Sequence, residues 1–166
     1  MRILSLLSVL GLIMACEAPS LKSAGGGLLS GRWKLLVMEY RDSTNTWRPY
    51  LGGMEGELLY HPDGFMSLHL VPKGYPTAEM DFANFDSSQT VRHLKHLAMF
   101  YSYTGDYRVI NDTIVEHKRR VHSNPAEWGS RGQRIFRVRN DSLFMRPAEK
   151  SLRHIRLKWL KSQVDP

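Results

Sequence analysis

His117 is the residue in this chain best placed to do chemistry. It stands in the run Val115, His117, Arg119, Val121, which strand alternation puts on one face, while Ile114, Glu116, Lys118 and Arg120 take the other. A mid-strand imidazole titrates near neutrality, so it can exchange hydrogen bonds with a ligand carbonyl or act as a general acid or base. The run before it places Tyr101, Tyr103, Gly105, Tyr107 and Val109 on one face. Tyr60, Tyr101, Tyr107 and Trp128 offer apolar bodies with polar tips, which suits an amphipathic ligand. Gln133 can orient a ligand's polar group. The candidate ligand-binding set is therefore Tyr60, Met66, Tyr101, Tyr107, His117, Trp128 and Gln133. The same residues would serve as a packed interior, with His117 as a structural histidine, and the sequence leaves both readings open.

Other chemistries find little footing. His93 and His96 share a helical face at i, i+3 without an HExxH pattern or a Cys partner, so they read as solvated and no metal site is expected. No GxSxG is present, and the single Cys, Cys16, is taken by the expected lipid. Gly25 to Gly27 follow no strand and open no helix, so they do not form a phosphate loop, and no cofactor is expected. The net charge of +7 is spread along the chain, with only Lys118-Arg119-Arg120 in a row. Nucleic-acid binding wants one clustered patch, so solvated strand faces are the expectation.

The elements that must carry these residues are short strands joined by turn signals. Arg32 to Tyr40 has apolar side chains on both faces, as a strand covered on both sides does. Arg41 to Gly56 reads as a polar loop in which Trp47, Pro49 and Tyr50 fold back. The runs 57–60 and 65–70 flank His61-Pro62-Asp63-Gly64, where proline presets the first turn position and Gly64 can take the left-handed conformation. Asn111-Asp112 and Asn140-Asp141 tolerate the positive φ of tight hairpins. One helix is expected from an N-cap at Ser87 or Ser88 to about Phe100, with Val91, Leu94, Leu97 and Ala98 at helical spacing. Strands at 133–139, 142–146 and 152–160 complete about eight. The fold class is all-β: a roughly eight-stranded antiparallel barrel or sandwich with one short helix, and eight strands is the number that encloses one small ligand or fills with side chains.

The amino terminus reads as a targeting segment. Arg2 precedes an apolar run, Ile3 to Met14, too short to span a bilayer but suited to a signal-peptide core. It ends Leu12-Ile13-Met14-Ala15-Cys16, which resembles a bacterial lipobox, where the Cys is diacylated before cleavage. The expected organisation is a signal peptide over 1–15, a lipidated Cys16 and flexible tether over 16–30, and a barrel domain over 31–162. The expected partners are a membrane, reached through the lipid on Cys16 in the bacterial cell envelope, and a small ligand, with the domain a monomer.

The ordered set Gly31-x-Trp33-x-Leu35, Leu59-Tyr60-x-Pro62-Asp63-Gly64-Phe65-Met66-Ser67, Tyr101-x-Tyr103-x-Gly105-x-Tyr107, Val115-x-His117, Ser123-x-Pro125-x-x-Trp128, Gln133 and Leu157-x-Trp159 resembles the bacterial lipocalin-like domain proteins. The resemblance implies a lipocalin-like (calycin) barrel around a cavity that takes small apolar or amphipathic molecules. It also implies that Trp33 plugs the closed end, with Arg156 or Arg153 packed upon it. Ser130 and Ile135 stand where the pattern has Gly and Arg, with Gly129, Gly132, Arg134 and Arg137 close by. Related barrels that acquired isomerase or cyclase chemistry imply an alternative in which His117 is the acid/base, and a structural or interaction module is the other alternative.

Overall fold

The computed structural model describes residues 26–77 and 91–162. The chain opens on one helical turn, α1 (Gly26–Leu29), and then runs through β1 (Gly31–Arg41), β2 (Trp47–Pro49), β3 (Met54–Tyr60) and β4 (Phe65–Pro72). After α2 (Val91–Leu97) come β5 (Tyr101–Asn111), β6 (Ile114–His122), β7 (Arg131–Arg139), β8 (Ser142–Pro147) and β9 (Ile155–Lys161). Strands β3 to β9 pair antiparallel with their sequence neighbours, β1 pairs with β3, and β9 returns to β1, so eight strands close a barrel and β2 is an extra strand hydrogen-bonded to β1. Closure removes the exposed sheet edges that an open sheet would carry.

The turns follow their residues. Gly64 has φ 95°, its N–H donates to His61 O at 3.0 Å, and Asp63 Oδ1 accepts from Phe65 N, closing the β3–β4 hairpin as its Pro-Asp-Gly composition demands. Asn140 takes φ 49° between β7 and β8. The β5–β6 hairpin is built differently from the expected positive-φ turn. Asn111 Oδ1 accepts from both the N–H and the hydroxyl of Thr113, a side-chain mimic of a turn, and Asn111 and Asp112 keep negative φ.

Alternating inner residues form one core: Trp33, Leu35, Leu58, Tyr60, Met66, Leu68, Leu70, Tyr103, Val115, Phe136, Leu143, Met145 and Trp159 are all buried. Each fully buried Leu or Met contributes on the order of 1.5–3 kcal/mol. One end of the barrel is closed by Leu29 and Trp33, both fully buried, with Trp33 Nε1 donating to Leu29 O at 2.8 Å. Gly26–Leu29, expected as the end of a tether, is thus part of the plug. The cation against Trp33 is Lys161, its Nζ 5.5 Å from the ring centroid. Arg156, expected there, stacks instead on Trp47 at 4.0 Å and pairs with Glu39.

Three further expectations shift. The segment 41–56 contains β2 and the start of β3 rather than only loop. The last strand begins at Ile155, because Lys150–Leu152 form a 3-10 turn. The helix spans Val91–Leu97, and its expected cap at Ser87 or Ser88 lies outside the described residues, as do the signal peptide and Cys16.

Candidate functional site

Inside the barrel, β3, β5 and β6 bring three polar side chains into one hydrogen-bonded chain. His117 Nε2 lies 2.6 Å from the Tyr60 hydroxyl, and Nδ1 lies 2.7 Å from the Tyr103 hydroxyl. All three residues are at most 2% exposed, which makes them a buried network rather than a surface cluster. The strand register explains their meeting. His117 faces Tyr107 across β5–β6, Tyr103 lies two inward positions further along β5, past Gly105, and Tyr60 ends β3 opposite Met66. Tyr107 packs on Tyr60 with ring centroids 4.6 Å apart and spends its own hydroxyl on His61 O.

Burial fixes the charge states. Desolvation, and then the Arg134 and Arg119 guanidinium groups, hold His117 well below its ordinary pKa, so it is neutral. Desolvation pushes the Tyr60 hydroxyl well up and the Tyr103 hydroxyl up, so both keep their protons. A neutral ring between two phenols has three polar hydrogens and two hydrogen bonds to make. Among the described residues one tyrosine O–H is therefore unspent, whichever tautomer the ring adopts. Burial raises the Tyr103 hydroxyl less than the Tyr60 hydroxyl, with the Arg134 charge opposing it, so Tyr103 is the better donor to Nδ1. The unspent hydrogen then sits on Tyr60.

A β-bulge shapes the wall above this chain. Between Thr104–Val121 and Gly105–Arg119 the register shifts by one residue, with Arg120 as the extra residue of β6. Gly105 is required there, because any Cβ would collide with Lys118 O. Past the bulge, Val121 turns outward and is 48% exposed, whereas His122 turns inward and is buried. The face expected to run Val115, His117, Arg119, Val121 instead runs Val115, His117, Arg119, His122. His122 stacks on Tyr103, with ring centroids 5.4 Å apart and planes 6° apart, and Arg119 Cζ lies 5.4 Å from the Tyr103 ring centroid.

Of the expected site residues, Tyr60, Met66, Tyr107 and His117 come together in the interior. Tyr101 sits at the rim, partly exposed, with its ring edge-on to His122 at 4.9 Å. Trp128 is outside, 56% exposed, on a loop stapled by its Nε1 donating to His122 O at 2.7 Å. Gln133 also faces outward, because its neighbours Gly132 and Arg134 take the inner positions of β7. Neither can line the interior. Tyr103, Arg119, His122 and Arg134 were missed. Two of the three apolar residues of β7, Phe136 and Val138, share a phase that reaches Arg134 on counting back by two, whereas Ile135 shares its phase with Gln133. The bulge, which turns His122 inward, carries no comparable signal.

Elsewhere, an open groove of about 770 Å³ crosses the outer face of β7, β8, β9 and β1, where Phe144 lies between Arg137 and Lys158. None of Tyr60, Tyr103 and His117 lines it. Among the described residues no group of three metal-binding side chains occurs, and no helix is long and apolar enough to cross a membrane.

The family model of the lipocalin-like domain matches residues 30–161, the whole closed barrel. The chain belongs to the lipocalin-like domain family. Comparison with curated proteins finds no match. Solved structures similar to this lipocalin-like domain include a de novo designed fluorescence-activating β-barrel, 13% identical over 81% of this chain and 94% of that one, with TM-score 0.40. They also include an uncharacterized protein from Bacteroides eggerthii, at 9% identity, 81% and 99% coverage and TM-score 0.42. A variant of the fluorescent protein UnaG matches at 9% identity, 82% and 96% coverage and TM-score 0.35. The lipocalin-like domain here differs from the expected family detail at its plug, where Lys161 takes the place expected for an arginine.

Proposed function

We infer that this lipocalin-like domain binds one small hydrophobic or amphipathic molecule inside the barrel, held to the bacterial cell envelope by a lipid on Cys16 and acting as a monomer. The observation that carries the binding reading is the unspent phenol hydrogen of the Tyr60–His117–Tyr103 chain. It is a buried donor among the Tyr107, Tyr103 and His117 rings and beside the Arg119 and Arg134 charges, in a barrel plugged at one end by Leu29 and Trp33. Pockets of this kind fix an apolar ligand with a few placed polar groups. Family membership supports the same reading, and the support for anchoring is the sequence Leu12 to Cys16.

The test is native mass spectrometry of the protein purified from a lipid-rich extract, together with titration of a neutral apolar dye, N-phenylnaphthylamine. A discrete added mass that leaves on denaturation, and saturable dye uptake, are expected. A clean apo mass with no saturable uptake overturns the carrier reading and leaves a packed scaffold. Anchoring is tested separately: metabolic labelling with an alkyne fatty acid should mark the protein and vanish in Cys16→Ser.

An isomerase or cyclase reading meets a specific geometric condition. Both ring nitrogens of His117 are taken by tyrosines, so any proton passed to a substrate would leave through a phenol hydroxyl. Tyr60→Phe, which removes the unspent hydrogen, would then abolish turnover while leaving uptake of a purely apolar probe intact.

A further inference from the structure

Among the described residues, two buried donors on β6 have no acceptor. Arg119 is 6% exposed and His122 4% exposed, yet Arg119 Nε and His122 Nε2 find no hydrogen-bond partner. His122 Nδ1 accepts from Asn124 N at 2.8 Å, so in the neutral ring it is Nε2 that carries the hydrogen. Burial first, and the Arg119 charge second, keep that ring neutral, with Glu127 opposing them. Both orphan atoms are therefore donors, and both residues lie against the Tyr103 ring. A second guanidinium reaches the same place. A Cβ on Gly132 would lie 2.5 Å from Arg119 Nη2 and 3.2 Å from Arg134 Nη1, so a glycine is what lets the two arginines share this floor.

The counter-charges are two partly exposed glutamates, although Glu149 Oε2 is itself buried with no hydrogen-bond partner among the described residues. Arg119 Nη1 is held by Glu127 Oε2 and Ser130 Oγ, each at 2.8 Å, and Arg134 Nη1 lies 3.5 Å from Glu149 Oε2. The glutamate side chains are 42% and 40% exposed, against 7% and 11% for the arginines. What points inward is a set of donors: the Nε edge of Arg119, the Nε2–H of His122 and the unspent phenol hydrogen. Unmade buried hydrogen bonds cost roughly 1–3 kcal/mol each, and an entering acceptor recovers that cost.

We propose that Arg119, His122 and Arg134 hold the carboxylate of a single-headed amphiphile whose apolar body lies against the barrel wall. A carboxylate has two coplanar oxygens that match the Nε/Nη2 edge of a guanidinium. Charge decides against a dianion such as a phosphate monoester, since Glu127 and Glu149 already offset the two arginines. Leu68, Leu70 and Met145 on the inner face supply the apolar surface for the body. The proposal rests on the carrier reading above and adds the chemical class of its ligand.

The experiment compares palmitate with hexadecanol, equal in chain length and different only in the head, by displacement of N-phenylnaphthylamine from the full-length protein. Palmitate is expected to bind at least about tenfold tighter, the worth of one charge-assisted hydrogen bond. Arg119→Lys keeps the charge and removes the fork, so it should erase most of that preference while hexadecanol and dye affinities stay within about twofold. If Arg119→Lys does not fold, His122→Phe, which keeps the ring stack on Tyr103 and removes the donor, should still weaken palmitate selectively. Equal affinities for the two probes, or a preference untouched by both substitutions, overturn the carboxylate site and leave the carrier standing. Failure of dye, alcohol and acid alike to bind overturns the carrier itself.

Discussion

The neutral His117 makes stability depend on pH, with a sign and size that follow from its surroundings. In the unfolded chain a histidine takes up a proton near pH 6.5, whereas in the barrel desolvation and the two arginines hold His117 well below that. Below pH 6.5 the unfolded state therefore binds one more proton than the folded state, so stability is full above that value and falls as the pH drops. From pH 7.5 to 5.5 the loss is about 1.4 kcal/mol for one such ring. His122, also lowered by burial, can add up to about as much again. The fall slows once the folded His117 itself takes a proton. An imidazolium carries two N–H donors, so both phenols must then accept from it, beside the Arg134 and Arg119 charges that oppose it. Urea unfolding followed by Trp fluorescence across this range measures the effect. His117→Gln is the control, because its amide can donate to one tyrosine and accept from the other without titrating. The variant should lose about 1.4 kcal/mol less over the same range, a difference of roughly 0.5–1.5 M in the urea midpoint. Equal pH slopes for the two folded proteins, or a His117 ring seen by NMR to titrate near pH 6.5, would refute the reasoning.

Three further outcomes follow from the same geometry. Gly105→Ala drives a methyl group into Lys118 O at the bulge and should cost several kcal/mol or shift the β5–β6 register, read as a large drop in melting temperature. Lys161→Met removes the cation from the Trp33 ring and should cost about 0.5–1 kcal/mol, whereas Arg156→Met should leave the Trp33 emission spectrum unchanged, because Arg156 stacks on Trp47 at the other end of β1. Gln133→Ala should leave the affinity for any ligand of the barrel unchanged, since the side chain faces water. A fall of more than about threefold in dye affinity, or about 0.6 kcal/mol, would return Gln133 to the site.

The fold was legible because most of it is written in local rules. The hairpin at His61 to Gly64 needs only its own four residues, and alternation along β3, β4 and β8 places their apolar side chains without reference to the rest of the chain. Where the structure differs, a side-chain contact decides rather than a backbone rule. The end of the expected tether, Gly26–Leu29, is held by the Trp33 indole, and the Asn111 turn is closed by a side-chain oxygen rather than by backbone φ. Arg156 and Lys161 are both basic residues on β9. Only the β1–β9 register, with its bulge after Leu35, settles that Lys161 meets Trp33 while Arg156 faces Glu39.

The site divides along the same line. Tyr60 and His117 could be named as functional candidates from alternation and composition, but their bond joins residues 57 positions apart and depends on closing the barrel. Tyr103 shares a face with Tyr101 and Tyr107, and nothing local distinguishes the one that reaches Nδ1 from the one at the rim. The largest error traces to one inserted residue. Without Arg120 as a bulge, Val121 would face inward and His122 would face water. The wall would then present valine beside Arg119, and its one ring stacked on Tyr103 would be lost. The bulge is tolerated because Gly105 accepts the close approach of the Lys118 carbonyl, and the outward turn of Arg120 is used in a pair with Asp106 at 3.0 Å. A glycine whose role in the sequence looks like a gap between tyrosines thus decides which side of the barrel carries imidazole. It is the position at which strand alternation, applied by rule, reverses the chemistry of the wall.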